Sequence, residues 1–248
     1  MRKTIGTVAA LLTACAVLSC RGGASFDTVE FARTVESPGS EYSVECSFTY
    51  LEGESPAARR IRSAMIEEAF GLENFSGTPA EAAEAYLARL EEEYASDDTL
   101  YRWHGMFQIF TSAEVVNDRT VVYTVDNNSY TGGAHGYAST VSSCYDLRTG
   151  EPLTLGDILP ENNRAALAAL LRRSIAAQYG FDDPRQLTEA GFFEPENIEP
   201  TENFALTDSS VIFRYNPYEI ACYATGLVEV EITRAAAGEL LDLSAAGF

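Results

Sequence analysis

The sequence predicts an α+β fold in which a mainly antiparallel sheet packs with helices. Three observations carry this expectation. Period-two stretches such as Tyr42, Val44, Cys46, Phe48 and Tyr50 mark half-buried strands. Capped stretches with apolar residues at helical spacing mark helices. Strands and helices come in clusters rather than in strict alternation, which argues against a doubly wound sheet.

The elements follow in order. Residues 1–19 read as a secretory signal: Arg2 and Lys3 precede an apolar run too short for a stable membrane span. Val17-Leu18-Ser19-Cys20 has the form of a bacterial lipoprotein box, with Cys20 the lipidated residue and Cys15 a rival match. Residues 20–40 read as a lipidated tether, residues 41–137 as an N-terminal subdomain and residues 138–248 as a C-terminal one. After the strand over 42–50, Ser55-Pro56 opens a helix that Gly71 closes, with Ile61, Ala64 and Met65 on one face. Thr78-Pro79-Ala80-Glu81 is a capping box opening a second helix, whose Ala82, Ala83, Tyr86, Leu87, Leu90 and Tyr94 form a stripe. Residues 106–130 read as a long hairpin turning at Asn117-Asp118.

A further strand is expected at 139–147, then a tight turn at Gly150, a short strand and a helical turn capped by Thr154 and Asp157. The next amphipathic helix turns Leu167, Leu170, Leu171 and Ile175 inward and ends at Gly180. Residues 181–203 are irregular and acidic. Strands at 204–215 and 227–233 and a short closing helix complete the chain.

Composition narrows the function. The 248 residues carry 17 Lys and Arg against 37 Asp and Glu, a formal net charge of −20. Lys3 is the only lysine. A chain this acidic repels nucleic acid and anionic headgroups and attracts cationic proteins or glycans, although an acidic surface also serves solubility alone. Cys46, Cys144 and Cys222 sit in strand-like segments without metal-ligand spacing, so one disulfide with a free thiol and three buried thiols are both open. No cofactor and no metal is expected.

Three motifs resemble a known family. Thr131–Tyr137 (TGGAHGY), Tyr145–Leu159 (YDLRTGEPLTLGDIL) and Asn216–Ile232 (NPYEIACYATGLVEVEI) occur in that order. Together they resemble the extracytoplasmic domain of RsiV-like anti-sigma factors, which captures lysozyme, and the matching accessory region of PdaC-type peptidoglycan deacetylases. The resemblance spans roughly residues 40–243. It implies the binding part alone, because neither a sigma-binding segment nor a separate deacetylase domain is read in this chain. Cys222 stands where the family usually has Pro.

Candidate residues are few. His135, after two glycines, has two readings: a loop ligand or general base, or a tight strand crossing with the ring bonded to backbone. Trp103 beside His104, and Tyr137 in the first motif, are candidate ligand contacts. In the last motif Tyr218 and Tyr223 either close the core or form an aromatic rim for a glycan or protein. The acidic runs lack the paired geometry a glycosidase needs. The expected function is a lipid-anchored envelope protein whose non-catalytic domain binds a lysozyme-like protein or a peptidoglycan-related ligand. The alternative is an envelope hydrolase or deacetylase acting on cell-wall glycan.

Overall fold

The computed structural model describes residues 23–37, 40–95 and 103–248. The signal over 1–19 and Cys20 lie outside the described residues. Among the described residues nine strands fall into two sheets, one six-stranded in the order β1-β2-β3-β4-β5-β6 and one three-stranded in the order β7-β8-β9. The larger is mostly antiparallel and packed with helices, as the clustered elements predict. The chain divides into two compact units, residues 1–113 with 125–138, and residues 114–124 with 139–248.

The first unit begins with strands β1 (Phe26–Ser37) and β2 (Ser40–Leu51), paired antiparallel from Phe26↔Leu51 to Ser37↔Ser40. Residues 26–37 were expected in the tether; they form a strand instead. Val29 and Phe31 alternate into the core there, a short signal that becomes a strand because β2 supplies its partner. Helix α1 (Pro56–Phe70) follows, with the Ser55 hydroxyl accepting from Ala58 N and Gly71 in the left-handed conformation at φ 63°. Its buried face is Ile61, Met65, Ile66, Ala69 and Phe70, with Ala64 only half-buried. Helix α2 (Pro79–Ala95) carries the expected box, Thr78 N donating to Glu81 Oε2 at 2.7 Å. Strand β3 (Trp103–Val115) then pairs parallel to β2, with Val44 beside Phe107 and Cys46 beside Ile109. The ring of Phe48 meets that of Phe70 at 4.8 Å, so sheet and helix interlock. Burial pushes the Cys46 thiol up to about 12.

The second unit holds the turn between β3 and β4 (Thr120–Tyr130), most of β5 (Tyr137–Asp146) and everything after it. Strand β6 (Pro152–Leu153) pairs with Cys144 and Tyr145. A one-turn helix α3 (Leu155–Ile158) bears the expected Thr154–Asp157 cap, and α4 (Arg164–Gln178) buries Leu167, Ala168, Leu171 and Ile175, leaving Leu170 partly exposed. Two 3-10 turns, Pro184–Ala190 and Pro195–Asn197, order the acidic stretch. Strands β7 (Phe204–Leu206), β8 (Ser210–Tyr215) and β9 (Val228–Thr233) form the small antiparallel sheet, and α5 (Arg234–Ala237) closes it. Val228, Val230 and Ile232 face inward and Glu229 and Glu231 outward, as their alternation predicts. Asp146 anchors the Gly150 turn. Burial pushes its carboxyl up, but the Arg119 guanidinium at 2.7 Å and the N–H groups of Arg148 and Thr149 hold it below the usual range.

Candidate functional site

The last motif and the strand leading into it divide into a buried half and an outward half. Strand β8 carries Phe213 and Tyr215 into the core, and the Tyr215 hydroxyl donates to Glu199 O at 2.7 Å. Burial pushes that phenol far up. Asn216 then acts as a piece of strand. Its Oδ1 accepts from Thr140 N at 2.8 Å and its Nδ2 donates to Thr140 O at 3.1 Å. Asn203 does the same one step along, accepting from Ser142 N and donating to Thr140 O, each at 2.8 Å. Arg214 adds a bond from Nη1 to Ser142 Oγ at 2.6 Å and one from Nε to Glu229 at 2.7 Å. Two asparagines thus cover the edge of β5 where the short β6 stops.

Beyond Asn216 the chain turns outward. Tyr218 has φ +74°, a region L-residues other than Gly and Asn rarely enter, and its N–H donates to Ala221 O at 3.0 Å. Ala221 pairs with Phe192 through an isolated antiparallel bridge, both side chains buried. Phe193 is 52% exposed and Tyr218 53%. The rings of Tyr218 and Tyr223 lie 5.9 Å apart at 30°. Glu194 and Glu219, both exposed, are adjacent in sequence to Phe193 and Tyr218. Gly191 is required here, because a Cβ at that position would stand 2.6 Å from Cys222 Sγ. The Thr225 hydroxyl, 3.5 Å from that sulfur, helps hold the Cys222 thiol below its usual value. The result is a small exposed aromatic surface suited to stacking.

The other candidates are not brought into this surface. His135 is exposed, and its Nδ1 donates to Gly136 O at 2.8 Å. The close approach in TGGAHGY is at Gly136, where a Cβ would meet Ser129 O at 2.6 Å; Gly132 and Gly133 supply positive φ instead. Tyr137 is 46% exposed in β5. Trp103 opens β3, with its side chain outside the described residues, and His104 Nδ1 lies 3.9 Å from Glu41. Cys46, Cys144 and Cys222 are all free thiols. Among the described residues no three of His, Cys, Asp and Glu gather as a metal-holding group. The Ser210 hydroxyl reaches Glu231 and Thr207 at 2.7 Å, but Ser210 is fully buried.

In the first unit an open hollow of about 390 Å³ is lined by Tyr50, Glu52, Glu54, Arg62, Thr78 and Glu81. Its polar groups are engaged locally: Arg62 donates to Leu51 O and Gly53 O, and Glu81 closes the cap of α2. Sequence reasoning missed Phe193 and the Asn203–Asn216 pair. The only available signal was Asn216 ahead of Pro217, which reads as a turn opener rather than an edge cover.

Residues 156–235 match the family DUF3298, described as a protein of unknown function. No curated protein matches the chain. A DUF3298 structure from Bacteroides fragilis is similar at TM-score 0.75 and 26% identity, covering 89% of this chain and 94% of that one. One from Pseudomonas aeruginosa is similar at TM-score 0.57 and 18% identity, covering 97% and 95%, and shares the fold alone. Residues 156–235 thus match the DUF3298 family model, and the chain is similar in fold to two solved structures of that family.

Proposed function

We propose that this chain is a non-catalytic, lipid-anchored binding protein of a bacterial cell envelope, with an RsiV-like domain that captures a cationic protein of the lysozyme type. The observation that supports it is Tyr218. An aromatic residue held at positive φ costs stability, and such conformations persist where the surrounding structure enforces them, often for function. Here the strain turns the ring toward solvent, beside Tyr223, rather than into the core. Tyrosines on a rigid support are frequent binding hot spots. A net charge of −20, with exposed Glu194 and Glu219 next in sequence to Phe193 and Tyr218, favours a basic partner and accelerates its approach. The three sequence motifs support the same ligand class. The lipoprotein box at Cys20 supports the anchor.

Calorimetry of the purified protein against lysozyme tests the reading. The expected result is a saturable complex weakened about ten-fold or more by Tyr218→Ala, with the circular dichroism of the protein unchanged, and weakened again by salt. No complex with lysozyme in low salt overturns the ligand. Binding unaffected by Tyr218→Ala overturns the surface. For the anchor, Cys20→Ala should move the protein from the membrane fraction to the soluble one, and retention in the membrane fraction would refute lipidation.

A further inference from the structure

We infer that the outer edge of β1 is a second binding surface, which takes up an extended basic peptide as an added strand. Strand β1 ends the six-stranded sheet. Glu52 N donates to Ser25 O at 2.9 Å, and the register from Phe26↔Leu51 to Ser37↔Ser40 runs unbroken. In an antiparallel pair the hydrogen-bonded positions alternate. Ser25, Asp27, Val29, Phe31, Arg33 and Val35 therefore bond toward β2, and Thr28, Glu30, Ala32, Thr34 and Glu36 turn their backbone groups away from it. Thr28 N–H is already taken by Asp27 Oδ1 at 2.8 Å. Among the described residues no side chain covers the backbone of Ala32, Thr34 or Glu36, as Asn203 and Asn216 cover β5.

The chemistry of the partner follows from the sheet face. Val29 and Phe31 on β1 and Val44, Cys46 and Phe48 on β2 are buried on the helix side. The alternate positions place Glu30, Glu36, Glu41 and Glu45 on the opposite side. Glu36 stands directly across from Glu41, and Ala32 across from Glu45. Like charges placed opposite in a sheet repel. Arg33, the one arginine in β1 and β2, is on the helix side, bound to Glu84 at 3.3 Å and Glu91 at 3.6 Å. A strand with lysine or arginine at every second position would place its charges beside this carboxylate row while its backbone completes the ladder. A second copy of the chain would instead add its own acids to the row, so the basic peptide is the better occupant.

The test uses a short blocked peptide alternating lysine with valine, read by fluorescence anisotropy on the whole protein. The expected result is binding that Thr34→Pro weakens at least about ten-fold, because proline removes an outward donor while keeping the β1–β2 bonds. The same peptide N-methylated at alternate amides should bind at least about ten-fold less well to the unaltered protein, which keeps the test valid if Thr34→Pro misfolds. Amide exchange at Ala32, Thr34 and Glu36 should slow in the complex. Equal binding of the methylated peptide would reduce the contact to charge alone and overturn the proposal. So would a dimer of the protein that disappears in Thr34→Pro, which would assign the edge to a second copy.

Discussion

Tyr218 is where a single residue decides most. Its ring and its backbone can be separated by experiment, because Ala and Gly both delete the ring but only Ala keeps a Cβ at positive φ. Relief of the left-handed penalty is worth about 1–2 kcal/mol, and the greater freedom of unfolded Gly returns about 0.4–1. Tyr218→Gly should therefore be more stable than Tyr218→Ala by about 0.5–1 kcal/mol in urea unfolding. Equal stability would show that the turn stores no strain. The sequence offered Tyr218 both as core and as rim. It could not choose, because tyrosine gives no sign of positive φ as glycine would. The motif and the strand before it divide between the two readings: Phe213 and Tyr215 enter the core, and Tyr218 leaves it.

At the scale of elements, caps were the legible part. Ser55-Pro56, Thr78–Glu81 and Thr154–Asp157 are local signals, and each starts a helix where the sequence places it. Strand β1 was not legible, because it shows little alternation alone and its identity comes from pairing with a later segment. The asparagine cover on β5 was hidden for the same reason, its partners being distant in sequence. Asn216→Asp tests that cover. The amide donor facing Thr140 O would become a second oxygen, a mismatch costing about 2–3 kcal/mol, more than Asn216→Ala. Denaturant melts compare the two, and an aspartate variant as stable as the parent would show that the edge tolerates exposure.

Across the whole molecule, composition was the readable quantity and the grouping of segments was not. The charge argued against nucleic acid and anionic headgroups, while binding was implied by the three motifs. That residues 114–124 belong with 139–248 rather than with the strand they continue depends on packing no local pattern records. The sequence also left the cysteines open between a bridge and three thiols; the structure holds them as thiols, two buried and one half-buried. A soluble form lacking the first 22 residues should thus melt at one temperature with or without reductant. A native thiol titration should find Cys222 reacting fast, and Cys46 and Cys144 only on unfolding. A melting temperature lowered by reductant would contradict this.

The parallel step from β2 to β3 orders events in time. The β1–β2 hairpin closes over a minimal loop and can form within microseconds of its residues meeting. Strand β3 can pair with β4 through a short turn, but it reaches β2 only once α1 and α2 have been made and folded back, since a parallel partner cannot be reached by a tight turn. A chain emerging N-terminus first would hold a finished hairpin, with the β3 side of β2 still empty, for as long as the next fifty or so residues take to appear. Nascent molecules are then most exposed to joining one another along that side of β2, before β3 arrives to close it.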